Sequence, residues 1–159
     1  MILFFSGVLL KKTKCCYLLT FSMKSLEIGK IKEMKEIINT TNAPAAIGPY
    51  SQAVWAGDLL YTSGQVALIP ESGEMDNKNL ESETHRVMKN LSALLAEVNL
   101  GFEHVIKTSI FIKDMNDFAK INEIYASYLK QPYPARETIE VARLPKDARI
   151  EISLVAKRG

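Results

Sequence analysis

The predicted elements run strand, strand, strand, helix, strand, helix, strand, strand, the order expected of an α+β domain with its helices on one face of a mixed or antiparallel sheet. Three observations carry that expectation: period-two alternation in the strand segments, two stretches of helical spacing, and turn residues where one period gives way to the other. The chain of 159 residues has room for a single domain with a substantial core.

"KEIIN" (35–39) is a short first strand. "TTNAPAAIGPY" (40–50) is a loop, because its Asn, Gly and two prolines cannot all sit inside a ladder. "SQAVWAGDLLYTSGQVAL" (51–68) reads as two strands joined at Gly57-Asp58, a pair suited to a tight hairpin turn. The polar "PESGEMDNKN" (70–79) is a loop. In "LESETHRVMKNLSALLAEVNLG" (80–101), Val87, Leu91, Leu94, Leu95 and Val98 recur at spacings of three and four, which predicts an amphipathic helix that Gly101 is placed to stop.

"HVIKTSIFIKD" (104–114) alternates Ile106, Thr108, Ile110 and Ile112 against Val105, Lys107, Ser109, Phe111 and Lys113, so the strand has one apolar face. "NDFAKINEIYASYLK" (116–130) returns to helical spacing through Phe118, Ile121, Ile124, Tyr125 and Leu129, and "QPYP" ends it. Two strands close the chain. In "RETIEVARL", Ile139 and Val141 face one way and Arg136, Thr138, Glu140 and Ala142 the other. In "ARIEISLVA", Ile150, Ile152 and Leu154 oppose Glu151, Ser153 and Val155. Helices on one face leave the other face of the sheet bare, and strands this rich in Ile, Val, Leu and Phe predict that another subunit covers it.

Residues 1–33 differ in character: an apolar run, a Lys cluster at 11–14, then a second apolar run. Positive charge follows the first run rather than preceding it, which is not the secretory pattern, and neither run is long enough for a membrane span. The expectation is a disordered extension or an over-extended start, with initiation at Met23 or Met34, ahead of a domain over 34–159. A cytoplasmic setting, with no membrane partner, goes with it.

Composition excludes several classes. Hydrophobic residues at 47% and charged residues at 24% are ordinary for a soluble globular domain. A net charge of +2, from 20 Lys and Arg against 18 Asp and Glu with no clustered Lys and Arg interleaved with aromatics, speaks against a nucleic-acid partner. Cys15 and Cys16 are the two cysteines, so the domain has no disulfide, no thiolate zinc site and no cysteine nucleophile. His85 and His104 are isolated and lack the spacing of metal ligands.

Four polar positions stand beside strand ends or tight turns: Tyr50 in "GPYSQA", Ser63 in "TSGQ", Arg136 in "PAR" and Glu151 in "RIEI". Each has a plain structural explanation taken alone. Together they describe a site. Arginine offers a planar fork matched to a carboxylate, and the preceding Pro-Ala fixes its starting direction. Glu151 lies between two isoleucines that point the other way, so desolvation should raise its pKa and suit it to passing protons. A hydroxyl and the backbone N–H groups near Ser63 and Gly64 can hold an oxygen or nitrogen of a small molecule.

"NAPAAIGPYSQAV", "TSGQ", "VIKTSIFIKDMNDFAKIN" and "PARETIEVARLPKDARIEI" resemble, in order and spacing, the RidA/YjgF family of reactive-intermediate imine deaminases, over residues 34–159. The resemblance implies a chorismate-mutase-like mixed sheet packed by two helices, assembled as a homotrimer with sites at the subunit interfaces. The implied activity is that of a 2-iminobutanoate/2-iminopropanoate deaminase: hydrolysis of 2-aminoacrylate, 2-aminocrotonate and their imines, released by pyridoxal-phosphate-dependent dehydratases, to 2-keto acids and ammonia. No metal or organic cofactor is implied. Arg136 matches the family's carboxylate-binding arginine and Glu151 the acidic residue that orients water, directly or through Thr138. Tyr50, Ser63, Gly64 and Asn122 match positions that line the pocket. Thr138 stands where many members carry cysteine, which removes thiol chemistry while keeping a hydroxyl on the Arg136 side of the strand. Two alternatives accompany this reading: a non-catalytic, metabolite-binding regulator of the same fold, and a ribonuclease or translation inhibitor.

Overall fold

The computed structural model describes residues 35–159, and the expectations for residues 1–33 lie outside the described residues. Gly57 adopts φ +62°, the left-handed region that L side chains avoid. That turn folds β2 (Ala53–Ala56) back on β3 (Leu59–Thr62) with Ala56 opposite Leu59, as the Gly57-Asp58 pair predicts. β1 (Glu36–Ile38) adds antiparallel to β2.

The first helix, α1 (Leu80–Glu97), starts on a reciprocal cap: Asn79 Oδ1 accepts the Ser82 N–H at 2.8 Å, and Ser82 Oγ accepts the Asn79 N–H at 3.3 Å. It ends sooner than Gly101 predicts. Asn99 takes the left-handed φ of +58°, and the Leu100 N–H returns to the Leu95 carbonyl at 2.9 Å, so the asparagine is the terminator.

β4 (Val105–Ile112) leads through a one-turn helix, Met115–Asp117, into α2 (Phe118–Ser127), which carries the chain to β5 (Ala135–Glu140). β6 (Ile150–Lys157) then inserts between β3 and β4. The six-stranded sheet has the order β1-β2-β3-β6-β4-β5, with β4 and β5 parallel and the remaining pairs antiparallel. The mixed α+β architecture is therefore as predicted. Leu60, Met88, Leu91, Ile110, Ile112, Ile121, Ile150 and Ile152, all but fully buried, join both helices to one face of the sheet in a single core. Each such side chain stabilises the fold by about 1.5–3 kcal/mol, which makes this layer the rigid floor of whatever is built on it. Among the described residues no helix is long and apolar enough to cross a membrane.

In β4 one facing assignment differs from the alternation in the sequence, whereas β5 keeps its predicted alternation and register decides which side meets the helices. In β4, a bulge between Val105 and Lys107 adds one residue, so Val105 turns into the core and Ile106 is 45% exposed. In β5, Arg136, Thr138 and Glu140 pair with Thr108, Ile110 and Ile112, which puts the polar side of the strand toward the helices and Ile139 on the open face. An edge strand beside the end of α2 can keep that orientation because solvent reaches the long side chains.

Candidate functional site

The predicted residues fall into two groups. The first surrounds Glu151. Gln65 exchanges two backbone hydrogen bonds with Ile152, at 2.8 and 3.1 Å, and so lays Gly64 against Glu151. A Cβ built on Gly64 would lie 2.7 Å from Glu151 Cδ and 2.9 Å from its Cγ, closer than real Cβ atoms approach, so glycine is what lets the carboxylate rest over the turn. The hollow beside them is lined by Ile47, Tyr50, Ser63, Val66, Leu68 and Lys146. Burial in these surroundings lifts the Glu151 carboxyl above the usual glutamate range, as its place between Ile150 and Ile152 predicts.

Buried polar side chains hold this wall in place. Gln52, 3% exposed, donates to the carbonyls of Thr40, Ala43 and Pro44 and fixes the loop that delivers Tyr50. Asn90 of α1, 1% exposed, donates to the carbonyls of Val66 and Leu68 at 3.1 and 2.9 Å. Glu83, also buried in α1, accepts the Arg149 N–H at 2.7 Å and Arg149 Nη1 at 3.2 Å, which pins the residue just ahead of β6. Ser63 is more committed than its sequence context suggests: its hydroxyl donates to the Ser51 carbonyl at 2.6 Å and its N–H to the Gln52 carbonyl at 2.9 Å. Its oxygen remains free to accept only.

The second group surrounds Arg136, at the second position of β5. Asn122 Oδ1 accepts a hydrogen bond from Arg136 Nη1, and the guanidinium carbon lies 5.5 Å from the ring centres of both Phe118 and Tyr125. The hollow there is lined by Asn122, Tyr125, Leu129, Tyr133, Pro134 and Arg136. Arg86, Arg143, Arg149 and Arg158 each pair with a carboxylate, whereas Arg136 has none among the described residues. Thr138 shares its face, and its buried Oγ1 has no hydrogen-bond partner among those residues.

Arg136 and Glu151 do not meet within one chain. Register carries Arg136 across to Thr108 and Leu154 on the helix side, and Glu151 across to Phe111 and Ile139 on the open side. Nor can Glu151 act through Thr138 of its own chain, since Thr138 aligns with Ile110 and Ile152 on the helix side. Phe118 and Tyr125 pack on the core as the apolar stripe read from the sequence predicts, and they are also the rings that flank the guanidinium. The signal available in the sequence was Asn122, a polar residue set between two aromatics at helical spacing.

Comparison with known proteins agrees with this architecture. The model of the family described as Endoribonuclease L-PSP matches residues 40–158. The human 2-iminobutanoate/2-iminopropanoate deaminase is 42% identical over 126 residues, covering 79% of this chain and 92% of that protein. A RutC family protein of Pyrococcus horikoshii is 47% identical over 77% of this chain and 98% of its own length. Among solved structures, E. coli TdcF with bound serine is similar at a TM-score of 0.74 and 39% identity, over 78% of this chain and 99% of that one. With the family model matched over residues 40–158 and relatives more than 40% identical over nearly their whole length, the chain belongs to the Endoribonuclease L-PSP family, the YjgF/RidA proteins.

Proposed function

We propose that this chain hydrolyses reactive enamine and imine acids, 2-aminoacrylate and 2-aminocrotonate with their tautomers 2-iminopropanoate and 2-iminobutanoate, to 2-keto acids and ammonia in the cytoplasm. The observation that carries the reading is the arginine census: four guanidiniums are neutralised by carboxylates, and Arg136 alone faces a hollow with its charge uncompensated among the described residues. A small carboxylate fits that fork bidentately. Relatives named as deaminases at 42–44% identity support the reaction class.

In this reading Arg136 takes the substrate carboxylate and Asn122 keeps the fork aimed. Water adds to the imine carbon, its oxygen forming the new C–O bond while the imine nitrogen gains a proton. Collapse of the tetrahedral adduct breaks the C–N bond, and ammonia leaves a 2-keto acid, with no change in oxidation state. Glu151, with its raised pKa, takes the proton of the attacking water and returns one to the departing nitrogen. The buried hydroxyl of Thr138, without a partner among the described residues, would be satisfied by the substrate or the water.

One small molecule must touch both groups, and they occupy opposite faces of one sheet. A homotrimer answers this, with Arg136, Asn122 and Thr138 of one subunit meeting Tyr50, Ser63, Gly64 and Glu151 of the next. The open sheet face, where Tyr61 and Ile139 are 42% and 46% exposed, supplies apolar area for that contact. A ribonuclease, the activity in the family's description, would call for a basic surface, and from residue 35 on the Lys and Arg are interspersed with Asp and Glu rather than with aromatics in a basic run.

The test is turnover of 2-iminobutanoate made in situ from threonine by a threonine dehydratase, followed as acceleration of 2-oxobutanoate formation. Arg136→Ala should nearly abolish the acceleration, and Arg136→Lys should lose much of it, because a point charge cannot reproduce the fork. Full activity in Arg136→Ala overturns the assignment.

A further inference from the structure

The guanidinium of Arg136 is held on three sides by one face of α2. Phe118, Asn122 and Tyr125 are spaced four and three residues apart and so share that face. Asn122 fixes one nitrogen, and the two rings stand at 5.5 Å from the guanidinium carbon. Arginine is long and keeps much rotamer freedom at a strand edge. An exposed guanidinium restrained in this way points in one direction before any anion arrives.

Tyr125 is in turn restrained from below. It is 5% exposed, and its hydroxyl donates to Thr108 Oγ1 at 3.1 Å. Thr108, 3% exposed, lies on β4 as the register partner of Arg136 itself. The hydroxyl pair thus ties the ring beside the guanidinium to the strand next to the one that carries the guanidinium. A buried tyrosine that merely filled the core would need a partner for its hydroxyl, but not this partner.

We propose that Tyr125, locked by Thr108, is a positioning residue that aims the Arg136 guanidinium, so that the buried hydroxyl pair sets how tightly the site binds carboxylates. This rests on Arg136 being the carboxylate anchor. Thr108 does not line the hollow, and the Tyr125 hydroxyl is turned to Thr108. Their influence passes through the orientation of the fork, and it falls on binding rather than on the addition of water.

The experiment titrates the full-length protein with 2-oxobutanoate, the stable product carboxylate, and measures KM and kcat for in situ 2-iminobutanoate, with a thermal melt for each variant. Thr108→Val and Tyr125→Phe should each weaken 2-oxobutanoate binding and raise KM by about threefold to tenfold, the scale of one lost hydrogen bond, while kcat stays within about twofold. Thr108→Ser should restore binding. If Thr108→Val does not fold, the Tyr125→Phe and Thr108→Ser pair carries the test. Wild-type binding and KM in folded Tyr125→Phe, with at most a lower melting temperature, overturns the inference. Undiminished binding in Arg136→Ala instead overturns the anchor reading beneath it, and the two failures are separate measurements.

Discussion

Arg136 and Glu151 project from opposite faces of one sheet, on strands separated by β4. Neither can reach a small molecule held by the other in the same chain, so the proposed reaction requires a second subunit.

Mixed assemblies test that requirement directly. Arg136→Ala and Glu151→Gln subunits, each inactive alone, are co-expressed. Where each site draws its arginine from one subunit and its glutamate from the next, random assortment restores about a quarter of the wild-type sites, by the statistics of a closed ring. Sites built within one chain recover nothing. Specific activity of the purified mixture distinguishes the two.

The contact between Gly64 and Glu151 sets a second expectation. A methyl group at position 64 overlaps the Glu151 side chain, with its Cδ at 2.7 Å, so the carboxylate must move. Misplacing a reacting group by about 1 Å costs about a hundredfold in rate. Gly64→Ala should therefore lose activity on that scale while keeping the fold, because Gly64 is exposed and its φ lies outside the left-handed region. Circular dichroism and kcat together check it.

The pH dependence follows from burial of Glu151. Desolvation raises its folded pKa above the unfolded value, so the folded state binds the proton more tightly. The linked stability is present at acid pH and lost as pH rises through the folded value. Catalysis runs the other way, since taking a proton from water needs the carboxylate. Activity should fall on acidification at a pH above the ordinary glutamate range. Glu151→Gln should lose that limb and most of the rate, and should melt higher than the parent at neutral pH, with the gap closing in acid.

Much of the fold was legible because local rules agreed with the tertiary structure. Gly57-Asp58 marked a hairpin that needs a left-handed residue, and Ile150, Ile152 and Leu154 marked a strand buried on alternate residues. The helix end was displaced from Gly101 because Asn99 also tolerates the left-handed region. What could not be read was which face each strand turns to its neighbours. The bulge at Ile106 reverses the alternation at the start of β4, and the parallel pairing of β5 with β4 decides that Arg136 faces α2. Both depend on register, a tertiary quantity, and from register follows the separation of Arg136 from Glu151.

Asn90 is the residue on which stability and site geometry converge. Its amide, 1% exposed, satisfies the carbonyls of Val66 and Leu68, which line the Glu151 hollow from a segment with little ladder pairing of its own. Asn90→Ala leaves both carbonyls buried and less well satisfied and opens a small void, a loss of about 2–3 kcal/mol. Asn90→Asp restores the shape but presents acceptors to acceptors and should be at least as damaging at neutral pH. Denaturant unfolding measures the stability change. Because the wall segment loosens before the core does, 2-oxobutanoate binding should weaken in Asn90→Ala at temperatures where the helices remain intact by circular dichroism.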